Sequence, residues 1–410
     1  MPTYRADMRS ASAADQIPSL HFSRGALVLL AAAGLSLGMA GYAIRHIGPG
    51  VDFLVFYRAA RTMGQGGSPY SIPGYVSIPG LAVLVEPLTR LPFRTAELIF
   101  FLFTTALAVA AIVGFGRQLG WKRPQLLAAG ALISWVGLSG LIQGQVDAVL
   151  LAALLGGTVL VLRGRFFLAG LLIGLLWLKP DVMWPAALFA GVALWPNRSA
   201  LVRYLLGLAL TSAAFLGGSA SLVPVWVQSL VQIGAGAGGQ SNLAGLPVLL
   251  SALPRSWGLG LGFGSPVTWA LLLLSLAGLG WLAVQSAVSP RWRQLGTERR
   301  LVWAVGLGMG LWLLVAPYAH SYDDLLLLPL LVLVIGRDAV GVGRSGPALS
   351  VLLLASAPIA WLWVEVNLTS LAVATLLVVA VLGLRRELGG AQIEQAGGAV
   401  ACTHPAASVT

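Results

Sequence analysis

The chain has 410 residues, 58% of them hydrophobic and only 10% charged, with a mean hydropathy of +0.87. A soluble domain carries about a quarter charged residues, so a soluble globular protein is excluded. The formal net charge of +11 belongs to cytoplasmic loops in a membrane protein, and no nucleic-acid partner is expected. The single cysteine, Cys402, excludes an internal disulfide and a cysteine-built metal site.

The first 24 residues are polar, lack the apolar core of a signal peptide and read as a cytoplasmic tail. Residues 25–387 read as an all-α integral membrane domain, and 388–410 as a disordered, Gly/Ala-rich cytoplasmic tail. A transmembrane helix needs about 20 apolar residues. Apolar runs near 25–45, 96–116, 125–142, 146–162, 166–178, 182–196, 201–223, 266–287, 301–317, 322–336, 347–364 and 367–384 predict about twelve spans. The stretch 166–196 also reads as one kinked pair around Lys179-Pro180.

The first connection, 46–95, is about fifty residues long and carries Pro69, Pro73, Pro79, Pro87 and Pro92. Structureless loops of that length are uncommon unless functional. Its opening, GPGVDFLVFYRAARTMGQGGSPY from Gly48 to Tyr70, places Asp52 among Phe53, Phe56 and Tyr57, with Arg58 and Arg61 following. As a helix, Phe53, Phe56, Tyr57 and Ala60 share one face. Such a helix is amphipathic and interfacial, and Asp52 at its start is equally an ordinary N-cap. The run Ile78–Leu91 is apolar but too short and proline-bounded to span, and is expected to dip into the interface.

With the N-terminus in the cytoplasm, alternate connections carry Arg5, Arg9, Arg24, Arg117, Lys122, Arg123, Arg163, Arg165, Arg198, Arg203, Arg291, Arg293, Arg299, Arg300, Arg337, Arg344, Arg385 and Arg386, 18 of the 25 basic residues. The other side holds Arg45, Arg58, Arg61, Arg90, Arg94, Lys179 and Arg255. This bias predicts both termini in the cytoplasm. The outer connections gather Asp52, Glu86, Gln143, Gln145, Asp147, Lys179, Asp181, His320, Tyr322, Asp323 and Asp324 at the ends of spans. Polar groups at that depth are costly unless they face a cavity, so chemistry is expected at the outer face; helix caps are the plainer alternative.

Each outer connection suggests its own chemistry. In LIQGQVDA the amides of Gln143 and Gln145 can donate to and accept from sugar hydroxyls. In LWLKPDVMWP, Lys179 lies beside Trp177 and Trp184, either snorkelling to headgroups or supplying a point charge for a phosphate. Pro224–Ser265, with Trp226, GAGAGGQSN and Trp257, reads as a flexible lid or acceptor-binding loop. In APYAHSYDD, His320 can hydrogen-bond a phosphate or carry a proton.

The order of these motifs carries a resemblance. Asp52-Phe53, then Tyr57-Arg58-Ala59-Ala60, then Gly66-x-x-Pro69-Tyr70 resembles glycosyltransferase family 87, formerly DUF2029. The likeness continues through Gln143-Gly144-Gln145-Val146-Asp147, Arg163-Gly164-Arg165, Ala169-Gly170-Leu171 and Leu178-Lys179-Pro180 to Pro317-Tyr318-Ala319-His320-Ser321-Tyr322. It covers roughly residues 25–340. One departure is Gly74-Tyr75-Val76-Ser77-Ile78-Pro79, where the family pattern has aromatic-Tyr-x-Pro-Pro.

The resemblance implies a GT-C fold and a polyprenyl-phosphate sugar as donor substrate, with a glycolipid or cell-envelope glycan as acceptor at the outer face of the cytoplasmic membrane. The chain resembles the polyprenol-phosphate-mannose-dependent mannosyltransferases of phosphatidylinositol mannoside synthesis, so mannose is the expected sugar; arabinofuranose donors also occur in the family. The implied roles are Asp52 as general base, Lys179, His320 and Arg58 on the donor phosphate, and Tyr57, Gln143, Gln145, Asp147, Tyr322 and Asp323 around the substrates. Membrane lipid is the surrounding partner, and no separate cofactor and no metal are expected. A secondary transporter is the alternative of a different class, but it should carry ionisable residues near the midplane and inverted repeats; the spans here are nearly free of charge and show no repeat. A flippase or scaffold would not need the long first connection.

Overall fold

The computed structural model describes residues 24–46, 50–121, 123–217, 220–236, 266–316, 320–335 and 373–388. Among them the regular structure is helical, with no strand. In chain order the helices are α1 (Arg24–His46), α2 (Val51–Gly64), α3 (Pro79–Val85), α4 (Phe93–Gln118), α5 (Pro124–Ile133), α6 (Trp135–Gln143), α7 (Asp147–Leu162) and α8 (Phe166–Ile173). They continue with α9 (Pro180–Leu194), α10 (Arg198–Gly217), α11 (Val223–Gly236), α12 (Pro266–Val288), α13 (Pro290–Gln294), α14 (Gly296–Val315) and α15 (Leu328–Ile335). Residues 373–388 are also helical, while the expected span 347–364 lies outside the described residues.

Segments in α1, α4, α10 and α12 are long and apolar enough to cross a membrane, and shorter apolar helices pack between them. The chain is a multi-pass all-α membrane protein. Its lipid-facing sides show in the exposed Leu30 and Leu35 on α1, Phe103 on α4 and Leu274 on α12, as expected where the solvent is hydrocarbon.

Two spans depart from straight rods. The expected 125–142 span is a broken pair, α5 and α6, bent by 59°. The break is at Ser134, whose extended backbone ends α5 and caps α6. Its Oγ donates to the Ala131 carbonyl at 2.7 Å and accepts from Gly137 N–H at 3.1 Å, which satisfies backbone groups that the bend frees within an apolar medium. A Cβ at Gly137 would run into the Ala131 carbonyl, so the bend requires glycine there. The second break is the expected one at Lys179: α8 tightens into a 3₁₀ turn, Gly174–Leu178, and Lys179 adopts φ −153° before Pro180 opens α9. A residue preceding proline is pushed out of the helical region, and proline suits the first helical position.

The segment ending in Lys179 is held on α10. Gly170 and Gly207 let the two backbones meet: a Cβ on either would strike the facing helix's carbonyls, of Tyr204 and Phe167 respectively. This is the small-residue packing that membrane helices use in place of a hydrophobic drive. Thr211 Oγ1 donates to the Leu171 carbonyl at 2.9 Å, and Trp177 Nε1 donates to Ser212 Oγ at 2.6 Å.

The first connection is folded rather than structureless. In α2 the expected face is buried, Phe53, Phe56, Tyr57 and Ala60, with Ala59 beside it. Phe53 stacks on Phe100 of α4 at 4.7 Å, and Tyr57 meets Phe93 edge-on at 5.3 Å. The run from Ile78 becomes α3 and a 3₁₀ turn, Glu86–Arg90. Gly80 of α3 lies against Phe215 of α10, where a Cβ would clash with the ring. The expected lid, Pro224–Ser265, begins instead as helix α11. Its Trp226 is buried and donates Nε1–H to the Val76 carbonyl at 3.0 Å, tying α11 to the first connection. The remainder of that segment, with Trp257, lies outside the described residues.

Candidate active site

The start of α2 sets one wall of the site. Its N-cap is Gly50, and no side chain caps the helix. Asp52 therefore sits in the first turn and does not cap, which overturns the capping reading of this acid. Its carboxylate Oδ2 accepts a 2.5 Å hydrogen bond from Gln145 Nε2, 93 residues away. Two glycines permit that approach. A Cβ on Gly50 would come within 2.9 Å of the Ile142 carbonyl oxygen. Gly144, at the C-terminus of α6, has φ +70°, and a Cβ there would lie 2.5 Å from Phe53 Cβ. The α6–α7 turn and the first turn of α2 thus meet backbone to backbone. The Gly50 N–H donates to Glu97 Oε1 of α4 at 2.9 Å, and Arg94 bonds the other carboxylate oxygen at 3.1 Å.

The second wall is built around Lys179. Its Nζ donates to Asp323 Oδ1 at 2.5 Å and lies 3.7 Å from Asp147 Oδ1. Asp323 Oδ2 accepts the backbone N–H of His320 at 2.7 Å, and His320 Nδ1 stands 3.9 Å from the same oxygen. Asp323 is fully buried, and one carboxylate therefore fastens the α8–α9 break to the segment that follows α14. Trp312 Nε1 reinforces this junction by donating to the Asp181 carbonyl at 2.7 Å, with Trp184 packed edge-on against Trp312 at 5.0 Å. Asp147 and Asp324 are buried; the Asp147 carboxyl lies against that of Asp323, and among the described residues the Asp324 carboxyl takes part in no hydrogen bond. A buried carboxylate is stabilised by a neighbouring positive charge, and Lys179 serves Asp147 in that way; a buried carboxyl without one, as at Asp324, keeps its proton.

The walls are electrostatically linked. Burial pushes the Asp52 carboxyl above its usual range; the Gln145 hydrogen bond and the Lys179 charge pull it down, and Asp323 pushes it up again. A carboxylate made more basic by desolvation, yet held by a donor, is suited to accept a proton. Beside the cluster a narrow apolar cleft between α4, α5, α6 and α7, lined by Thr105, Leu132, Gly137 and Leu151, reaches Gln145 and Asp147.

Asp52, Gln145, Asp147, Lys179, His320 and Asp323 are thus brought together. Gln143 lies two residues before Gln145, with its backbone against Gly50. Tyr57 stands apart: its buried hydroxyl donates to the Leu91 carbonyl at 2.8 Å, so it braces α2 against the chain entering α4. Arg58 is exposed on α2, and the side chain of Tyr322 lies outside the described residues. Glu97 is absent from the sequence-predicted site residues, and Asp324 enters only among the polar residues at the span ends. An acid in the first turns of an apolar span is the signal that could have found Glu97. Among the described residues no group of three or more His, Cys, Asp or Glu side chains is arranged to hold a metal ion.

A family model described as glycosyltransferase family 87 matches residues 78–317, more than half of the chain. The match contains Gln145, Asp147 and Lys179, begins after Asp52 and ends before His320. No curated protein and no solved structure matches the chain.

Proposed function

Since this chain belongs to glycosyltransferase family 87, it is a glycosyltransferase, and we propose that it moves mannose from a polyprenyl-phosphate donor to a hydroxyl of a glycolipid or cell-envelope glycan. The observation that carries the reading is the pairing of a desolvated, amide-held carboxylate, Asp52, with a cluster containing Lys179 and His320. The donor brings its own leaving group. The acceptor oxygen attacks the anomeric carbon while the bond from that carbon to the phosphate oxygen breaks. Asp52 takes the acceptor proton, and polyprenyl phosphate departs as the anion. One direct displacement inverts the anomeric centre.

The departing phosphate is stabilised by charge-assisted donors: Lys179 and His320 from the cluster, and Arg58 from α2. Gln143, Asp147, Tyr322 and Asp323 border the sugar and its acceptor. The site is assigned to the outer face. The cluster joins the ends of helices whose other ends carry the arginine-rich connections, and these remain cytoplasmic in multi-pass proteins.

The test is turnover by the purified chain in lipid nanodiscs, with polyprenyl-phosphate mannose and polyprenyl-phosphate arabinofuranose offered separately and octyl mannoside as the hydroxyl acceptor. Transfer of mannose with inversion is expected. Transfer of arabinofuranose alone overturns the sugar assignment, and retention of configuration overturns the single displacement.

A further inference from the structure

We propose that Gln145 is a positioning residue for Asp52: its side-chain amide holds the carboxylate in the orientation from which it takes the acceptor proton. The inference rests on the reading of Asp52 as the base and revises the sugar-binding role that its sequence motif suggested for Gln145.

The Gln145 backbone is fixed before its side chain acts. It follows the left-handed Gly144, and its N–H donates to the Gly140 carbonyl at 2.9 Å. The turn is pressed onto α2 through Gly50 and Gly144. Its Nε2 therefore reaches Asp52 Oδ2 from a rigid platform. Among the described residues Oδ1 accepts no hydrogen bond, so one oxygen is held and the other is available to a substrate hydroxyl.

The chemistry of the donor matters. A neutral amide orients an ionised carboxylate without placing a full positive charge on it, so a desolvated base keeps its basicity. The charged groups around Asp52 come from three other directions: Lys179 at the start of α9, Asp323 after α14, and Glu97 of α4, which is engaged with Gly50 and Arg94. Asp147 pairs with Lys179, and His320 with Asp323. Among the described residues Gln145 is the side chain that hydrogen-bonds the carboxylate.

The experiment has two arms on the full-length protein in nanodiscs. In the first, carbodiimide labelling of Asp52 is followed against pH by peptide mass spectrometry, in the wild type and in Gln145→Leu, with no substrate present. The carboxyl oxygen adds to the carbodiimide carbon and the acid proton passes to its nitrogen, so labelling needs the protonated carboxyl and its midpoint reports the Asp52 titration. Loss of a donor that favours the ionised form should raise that midpoint by about one pH unit. Gln145→Asn, whose amide falls short of Asp52, carries the same expectation and serves if the leucine variant fails to fold. In the second arm, turnover of polyprenyl-phosphate mannose with octyl mannoside should show kcat lowered by about tenfold or more, donor KM little changed, and the acid limb of kcat/KM shifted upward in step with the labelling.

An unshifted midpoint overturns the proposal, as does a raised KM with unchanged kcat, which would return Gln145 to the sugar. Asp52→Asn separates the two readings. If it retains turnover, the base assignment has failed. If it is inactive while Gln145→Leu leaves the midpoint unmoved, only the positioning role has failed.

Discussion

Lys179 and Asp323 are 144 residues apart in sequence, and their side chains form a hydrogen-bonded ion pair at 2.5 Å. Asp147, the carboxylate 3.7 Å from the same ammonium, shares that charge. The lysine therefore has two duties. It offsets buried carboxylates, and by the proposed mechanism it meets the donor phosphate.

The first duty makes Lys179→Ala a stability variant as well as a functional one. Removing one partner of a buried ion pair costs about 3–5 kcal/mol, so Lys179→Ala should melt well below the wild type. Lys179→Met combined with Asp323→Leu should recover part of the loss, because both charges go together. Thermal unfolding in a single detergent measures both. A Lys179→Ala protein melting at the wild-type temperature would show that the pair contributes nothing. His320→Ala is the milder probe of the donor site, since it keeps the backbone N–H that Asp323 accepts; it removes the side chain's capping contact with the Asp323 backbone, so its melting temperature is read beside donor binding. Loss of a charge-assisted bond to phosphate should weaken donor binding about tenfold to hundredfold, read by titration with polyprenyl-phosphate mannose.

Asp52→Asn separates chemistry from architecture. Gly50 occupies the cap position, so the substitution removes no cap, and the melting temperature should stay near that of the wild type. Loss of a general base lowers the rate by about 10²–10⁴-fold. Turnover above about a tenth of the wild type would move the base to Asp147 or Asp323.

The same carboxyl sets a pH dependence. Its pKa is raised above 3.8, chiefly by burial. Protonated Asp52 cannot accept a proton, so kcat/KM should fall as pH drops through that raised value and level off above it. For stability the sign is opposite. The folded state holds this proton more tightly than the unfolded state, so the group's contribution declines as pH rises from 3.8 through the folded value. A pH–rate profile with its acid limb at or below 3.8 contradicts the desolvated geometry.

Gly144→Ala should damage the site through register alone. The position has φ +70°, and its Cβ would press on Phe53 Cβ, so the substitution should cost more than about 1 kcal/mol. The α6–α7 turn would move away from α2, lengthening the Gln145–Asp52 contact. Lower kcat in a protein that remains monodisperse is the expected result. Unchanged kinetics would mean that the turn relaxes without moving Gln145.

Topology can be tested in a Cys402→Ser background. Single cysteines at Ser71 in the first connection and at Gln294 beside Arg293 should label from opposite sides of the membrane, Ser71 from outside. Outer labelling at Gln294 would invert the orientation assigned from the basic residues.

The amino-acid sequence by itself determined the class and the local geometry. Apolar runs of span length, the buried face Phe53–Phe56–Tyr57–Ala60 and the break at Lys179-Pro180 follow from hydropathy, helical periodicity and the sterics of proline, which act over a few residues. Each of these was legible without a partner. The candidate site was legible only as residue types at one set of helix ends: Asp52, Gln145, Lys179 and His320 could be named, but not joined. The tertiary structure decided that Asp52 leans on Gln145 instead of capping α2, that Tyr57 braces the chain at Leu91, and that Asp323 fastens His320 to Lys179. It also decided that 125–142 bends at Ser134 and that Pro224 begins a helix. The reason is range. The Asp52–Gln145 contact bridges 93 residues and the Lys179–Asp323 contact bridges 144. Such pairs exist only after Gly50, Gly144, Gly170 and Gly207 have let separate helices approach backbone to backbone, a condition that no local pattern encodes.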